Sequence, residues 1–80
     1  MGIETISYYT FYECKNLRTV TIPKTVTEIE PYAFYMCLNL NTINFEGTVE
    51  QWNAITKGKD WAFRVPATEV ICKDGVASLS

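Results

Sequence analysis

Along the first half of the chain the apolar positions come round twice. Ile6, Tyr9, Phe11, Tyr12, Cys14 and Leu17 recur 23 residues later as Ile29, Tyr32, Phe34, Tyr35, Cys37 and Leu40, and Val20 and Ile22 return as Ile43 and Phe45. Two polar positions keep the same spacing, Asn16 with Asn39 and Thr19 with Thr42. A fixed period of this size marks an array in which no unit buries its apolar face alone, so that each must stack on its neighbours. The stretches LRTVTI and LNTINF end in alternation, with Val20 and Ile22, then Ile43 and Phe45, on one side of an extended chain. That alternation predicts a strand with one buried face. Because the units are stacked copies, the strands are predicted to be parallel, one per 23-residue rung.

The period lies within the range of about 20–29 residues of a leucine-rich repeat, and Leu17-x-x-Val20-x-Ile22 fits its L-x-x-L-x-L pattern. Pro23 denies the ladder a donor and ends the first strand, while Val26 and Ile29 turn inward on the opposite side of the coil. Pro31 suits the first position of a helix, Ala33 favours one, and Phe34 and Cys37 sit three apart, which predicts a short helical or 3-10 turn. After Phe45 the strict repeat decays. Gly47 predicts a turn, Thr48 a helix cap, Val49, Trp52 and Ile55 an apolar stripe, and Gly58 the helix stop. ATEVICKDG predicts a last strand, with Val70 and Cys72 inward and the Asp74-Gly75 turn closing it. Trp52, Trp61 and Phe63 supply the apolar area that closes a terminal rung.

The predicted fold is therefore a short leucine-rich-repeat solenoid of class α+β, with short helical or 3-10 turns and a C-terminal cap. One domain covers residues 1–80, divided into repeats over 1–45 and a C-terminal capping module over 46–80.

Composition narrows the function classes. A chain of 80 residues buries only about 60% of its unfolded surface. With 48% hydrophobic and 20% charged residues and a net charge of −2, it reads as a folded soluble domain. The seven Lys and Arg are scattered, so the basic patch that nucleic acid requires is missing. The apolar runs are too short for a membrane-inserting helix, and the opening MGIET lacks the form of a signal peptide.

Candidate chemistry changes the picture little. Cys14, Cys37 and Cys72 form no C-x-x-C pair and the chain has no histidine, so neither a zinc site nor any cofactor is expected. Cys14 and Cys37 occupy one column of adjacent rungs, about 5 Å apart at the backbone, a span open to a disulfide or to two small buried thiols. The buried thiols are the preferred reading, and Cys72 lies off the column. Tyr9 and Tyr32 read as packing residues beside Phe11 and Phe34, and Tyr12 and Tyr35 as exposed. Glu28 with Glu30, and Glu46 with Glu50, are close in sequence, but nothing builds them a cleft, so no catalytic residue is assigned.

The register I-x-x-Y-x-F-Y-x-C-x-N-L-x-x-V-x-I-P-x-x-V-x-x-I resembles the BspA-like leucine-rich repeat family. GTVEQWNAITKGKDW followed by VPATEVICKDG resembles the terminal module of such arrays. The resemblance implies a bacterial or protozoan protein, secreted or held at the cell surface, that binds other proteins or host matrix and has no enzymatic activity. The expected function is thus a non-catalytic interaction or adhesion module with a protein or glycan partner; the alternative is a structural cap of a longer array with no ligand of its own. The expected contact surface is the strand face between the buried positions: Arg18, Thr19 and Thr21, then Asn41, Thr42 and Asn44, then Glu69 and Ile71. At the other end of the coil, the column of Ile6, Phe11 and Leu17 is expected to be partly uncovered, which predicts a homodimer through an open N-terminal edge over residues 3–22.

Overall fold

The computed structural model describes residues 4–79. Seven strands and one helix follow in chain order: β1 (Thr5–Ile6), β2 (Thr19–Ile22), β3 (Glu28–Ile29), β4 (Thr42–Phe45), α1 (Val49–Ala54), β5 (Thr56–Lys57), β6 (Glu69–Cys72) and β7 (Gly75–Ser78). They form two sheets, β2-β4-β6-β7 and β1-β3-β5. In the larger sheet β2, β4 and β6 are parallel, and the register Thr19 to Thr42, Val20 to Ile43 is the 23-residue period itself. Each turn of the chain contributes a second strand to the smaller parallel sheet, where Ile6 pairs with Ile29 and Ile29 with Lys57. The expectation of one strand per rung is therefore corrected to two. The second strand is only two residues long, too short for alternation to reveal it.

The segment after Pro31 is not helical. Ala33, Tyr35 and Cys37 donate backwards to Glu30, Tyr32 and Phe34 (3.2–3.3 Å), but Tyr32 and Met36 are both left-handed at φ 64°. A chain of tight turns results, in place of the predicted short helix or 3-10 turn: the i to i+3 bonds of a 3-10 turn are present, but the left-handed residues break its helical path. The stacking explains it. Phe11 and Glu13 donate to the carbonyls of Ala33 and Tyr35 on the next rung (2.8 Å each), and Phe34 and Met36 donate onward to Trp61 and Phe63 (2.8 and 2.9 Å). A helix turns every interior N–H onto its own chain and would leave none for the neighbouring rung.

The left-handed residues also mark a third turn. Tyr9 and Glu13, Tyr32 and Met36, Asp60 and Arg64 occupy equivalent places, 23 and then 28 positions apart. The parallel stacking consequently continues past Phe45, through residues 56–72, with α1 looped out between β4 and β5. Thr48 caps α1 in a reciprocal box with Gln51, and Trp52 is its buried residue. The helix stops at Ile55, whose backbone turns extended. Lys57 Nζ donates to the Trp52 and Ile55 carbonyls (3.0 and 3.3 Å), setting a cation at the helix's C-terminal end, where the Trp52 carbonyl also accepts the Ile55 N–H. Gly58 is not the helix stop; a Cβ there would collide with the backbone of Pro31 on the preceding rung.

Between the two sheets and the line of turns, Ile22, Val26, Ile29, Phe34, Cys37, Leu40, Ile43, Val70 and Trp52 are almost wholly buried. Among the described residues none that is polar or charged is buried. Trp52 and Trp61 pack together at 5.7 Å, but Phe63, expected beside them, is 40% exposed.

Candidate partner-binding face

β2, β4 and β6 alternate because every second side chain belongs to the core. Val20, Ile22, Ile43, Phe45, Val70 and Cys72 point inward, and the residues between them face out. Thr19, Thr21, Glu69 and Ile71 are exposed, as are Arg18 and Asn41 just outside their strands; Thr42 and Asn44 are half-buried. The register sets Thr19 beside Thr42, Thr21 beside Asn44, and Asn44 beside Ile71. All eight predicted residues thus lie on or next to one outward sheet face.

That face has a part the sequence reading missed. β7 returns antiparallel to β6, placing Val76 opposite Ile71 and Ser78 opposite Glu69. Directly opposed residues share a side of the sheet, so Ile71 and Val76, 48% and 55% exposed, form an apolar pair at its end. Asp74-Gly75 followed by the alternating Val76-Ala77-Ser78 was the available signal, although the two-residue turn falls at Lys73-Asp74, and Gly75, opposite Cys72, already belongs to β7. The hairpin is held twice from behind: Asp74 Oδ1 accepts from the Val49 N–H (2.9 Å), and the Trp52 indole donates to the Ser78 carbonyl (2.9 Å).

The face is shallow and of mixed chemistry: threonine hydroxyls and asparagine amides in the middle, Arg18 at one margin, Glu69 and the apolar pair at the other. Three threonines and two asparagines offer both donors and acceptors, which suits the peptide groups or hydroxyls of a partner.

A second exposed surface lies along the turns. Tyr9 stacks on Tyr32 (5.6 Å, 7°), and Tyr12, Tyr35 and Phe63 stack in a column at 5.3 and 5.0 Å. Tyr9 is 53% exposed, so its reading as a packing residue is corrected. Within each column the rings stack face to face, and the two columns meet edge-on, Tyr9 against Tyr12 at 5.0 Å and Tyr32 against Tyr35 at 5.4 Å. Inside the same turns Cys37 Sγ donates to the Phe11 carbonyl (2.7 Å). All three cysteines are free thiols; Cys37 and Cys72 are buried, whereas Cys14 is only half-buried. Burial pushes the Cys37 thiol above its ordinary pKa, and burial with the nearby Asp74 does the same for Cys72.

A family model for the BspA-type leucine-rich repeat region (6 copies) matches residues 1–65. The chain belongs to that family. The match runs beyond the two clear repeats and into the third turn. No curated protein and no solved structure matches the chain. A leucine-rich repeat of this type suggests a protein-interaction module, in keeping with a broad outward sheet face. Among the described residues no helix is long and apolar enough to cross a membrane, and no group of three or more His, Cys, Asp and Glu is placed to hold a metal ion.

Proposed function

We propose that the chain is a terminal stretch of a leucine-rich solenoid and acts as a non-catalytic adhesion module, secreted or at the cell surface, that binds a protein through the outward face of β2, β4 and β6. The observation that carries this reading is the row Thr21, Asn44, Ile71 and Val76, four strands deep and in register on a sheet whose other side is core. A rigid polar face with one apolar end supplies hydrogen bonds for orientation and an anchor for burial, the division found in protein interfaces. Glycan hydroxyls would satisfy the same polar groups, but Ile71 and Val76 favour a protein.

To test it, a partner purified on the immobilised chain is titrated against the triple variant Thr19→Ala, Asn44→Ala, Glu69→Ala. The expected result is at least tenfold weaker binding, about 1.4 kcal/mol, with an unchanged circular dichroism spectrum. Unaltered affinity would remove the face from consideration.

The second reading, a cap with no ligand, draws on α1 packing against β7, an edge strand of the larger sheet, and on the Trp52 bond to Ser78. It predicts that a version carrying upstream repeats binds a partner that these 80 residues do not touch.

A further inference from the structure

The N-terminal edge over residues 3–22, expected to pair with a second copy, begins at Ile3, outside the described residues, and on the reading above a preceding rung adjoins it. The aromatic columns run along the side of the stack and stay at the surface whatever adjoins its ends. They hold tyrosines in two pairs, Tyr9 on Tyr32 and Tyr12 on Tyr35, each pair spanning the first and second rungs.

The two pairs are fastened differently. On either side of Tyr12, the Phe11 and Glu13 N–H groups donate to the Ala33 and Tyr35 carbonyls (2.8 Å each), so the backbones of Tyr12 and Tyr35 are clamped at the spacing of paired strands, about 4.8 Å. Beside Tyr9, by contrast, the Tyr8 N–H reaches the Glu30 carboxylate (3.1 Å) and the Thr10 N–H turns back to Ser7 (3.3 Å). The rings of the clamped pair lie parallel at 5.3 Å and 4°, with Tyr12 exposed and Tyr35 half-buried. Past Tyr35 the column ends in Phe63 at 5.0 Å, which has no phenolic hydrogen to lose.

We propose that Tyr12 and Tyr35 are a site of oxidative coupling, with hydrogen peroxide and a haem peroxidase as the oxidant, which closes a covalent link between the first and second rungs. Each phenol gives up a hydrogen atom, one electron with one proton, to the peroxidase. The two phenoxyl radicals join at a ring carbon ortho to each oxygen, and the hydrogen displaced from each of those carbons returns to its own oxygen. Two phenols and one hydrogen peroxide thus become one biphenol and two waters. Rings stacked in parallel start with their ortho carbons about one rung spacing apart, and rotation about the second side-chain torsion, which is broad for tyrosine, brings one pair of them together. The clamp on the backbone holds the two side chains within reach while this happens. The link adds a covalent bond to rungs that otherwise meet through hydrogen bonds and packing alone.

The test is oxidation of the 80-residue chain with a plant haem peroxidase and hydrogen peroxide. Groups on one folded chain meet at effective concentrations of mM or more, so at about 10 µM protein coupling within a chain outruns coupling between chains. The expected product is a monomer lighter by two hydrogens, with the fluorescence of a biphenol, in which the tryptic peptides 1–15 and 25–57 are joined. Tyr12→Phe and Tyr35→Phe, which keep the rings and remove one phenol, should each abolish that link with an unchanged circular dichroism spectrum. The double variant Tyr9→Phe, Tyr32→Phe, which removes the other pair, should retain it. Crosslinking between chains in place of the internal link, oxidation that adds oxygen without joining the two peptides, or a link that survives Tyr12→Phe would each overturn the proposal.

Discussion

Single residues of the repeat carry two obligations: to fill the core and to meet the equivalent residue on the next rung. Cys14 and Cys37 show how these part company. They hold the same place in the repeat, yet Cys37 lies between two rungs and is fully buried, while Cys14 belongs to the first rung and is half-exposed. The sequence reading treated them alike, because a period reports the column and not the position along it. Phe63 and Tyr9 were mis-sorted in the same way: their ring type suggested core, but their place on the turns puts them in the outer columns. The thiols offer a direct check. With a thiol reagent at pH 8 Cys14 should react first, with Cys37 and Cys72 slower, both because access is blocked and because burial raises their pKa values and leaves less thiolate. In denaturant all three should react alike. Equal native rates for Cys14 and Cys37 would contradict the assigned rung order.

At the level of elements, β2 and β4 were legible because four alternating residues are enough to show period two. β1, β3 and β5 were not, since a pair of residues has no period. The third turn was hidden for a different reason. Its stacking on the second depends on backbone conformation, carried by Asp60 and Arg64 in the left-handed region and by N–H groups reaching Lys59, Trp61 and Phe63. Side-chain identity therefore drifted while geometry held. Gly58 belongs to this level too: read from the chain it ends a helix, but in space it lets one rung come close to Pro31 of the rung before. Gly58→Ala should accordingly destabilise the protein by roughly 2 kcal/mol, as overpacking against rigid backbone does, measured by urea unfolding. A cost under about 0.5 kcal/mol, the range of an ordinary surface change, would mean that the two rungs are not in close contact there.

For the whole molecule, the stacking turns three weak units into one core and leaves two broad surfaces: the outward sheet face and the aromatic columns of the turns. The first was readable from the repeat, because outward positions follow once inward ones are known; its β7 extension was not readable from the repeat, because a four-residue hairpin strand falls outside the period and only the local Asp-Gly signal pointed to it. The proposed function requires partners to meet the sheet face and not the turns. Placing the photoreactive residue p-benzoylphenylalanine at Asn44, in the middle strand of the face, and separately at Tyr12, on the aromatic columns, tests this in one experiment with a cell-surface and matrix extract. A discrete crosslinked protein is expected from position 44 and none from position 12; a crosslink from position 12 alone would contradict the assignment of the sheet face.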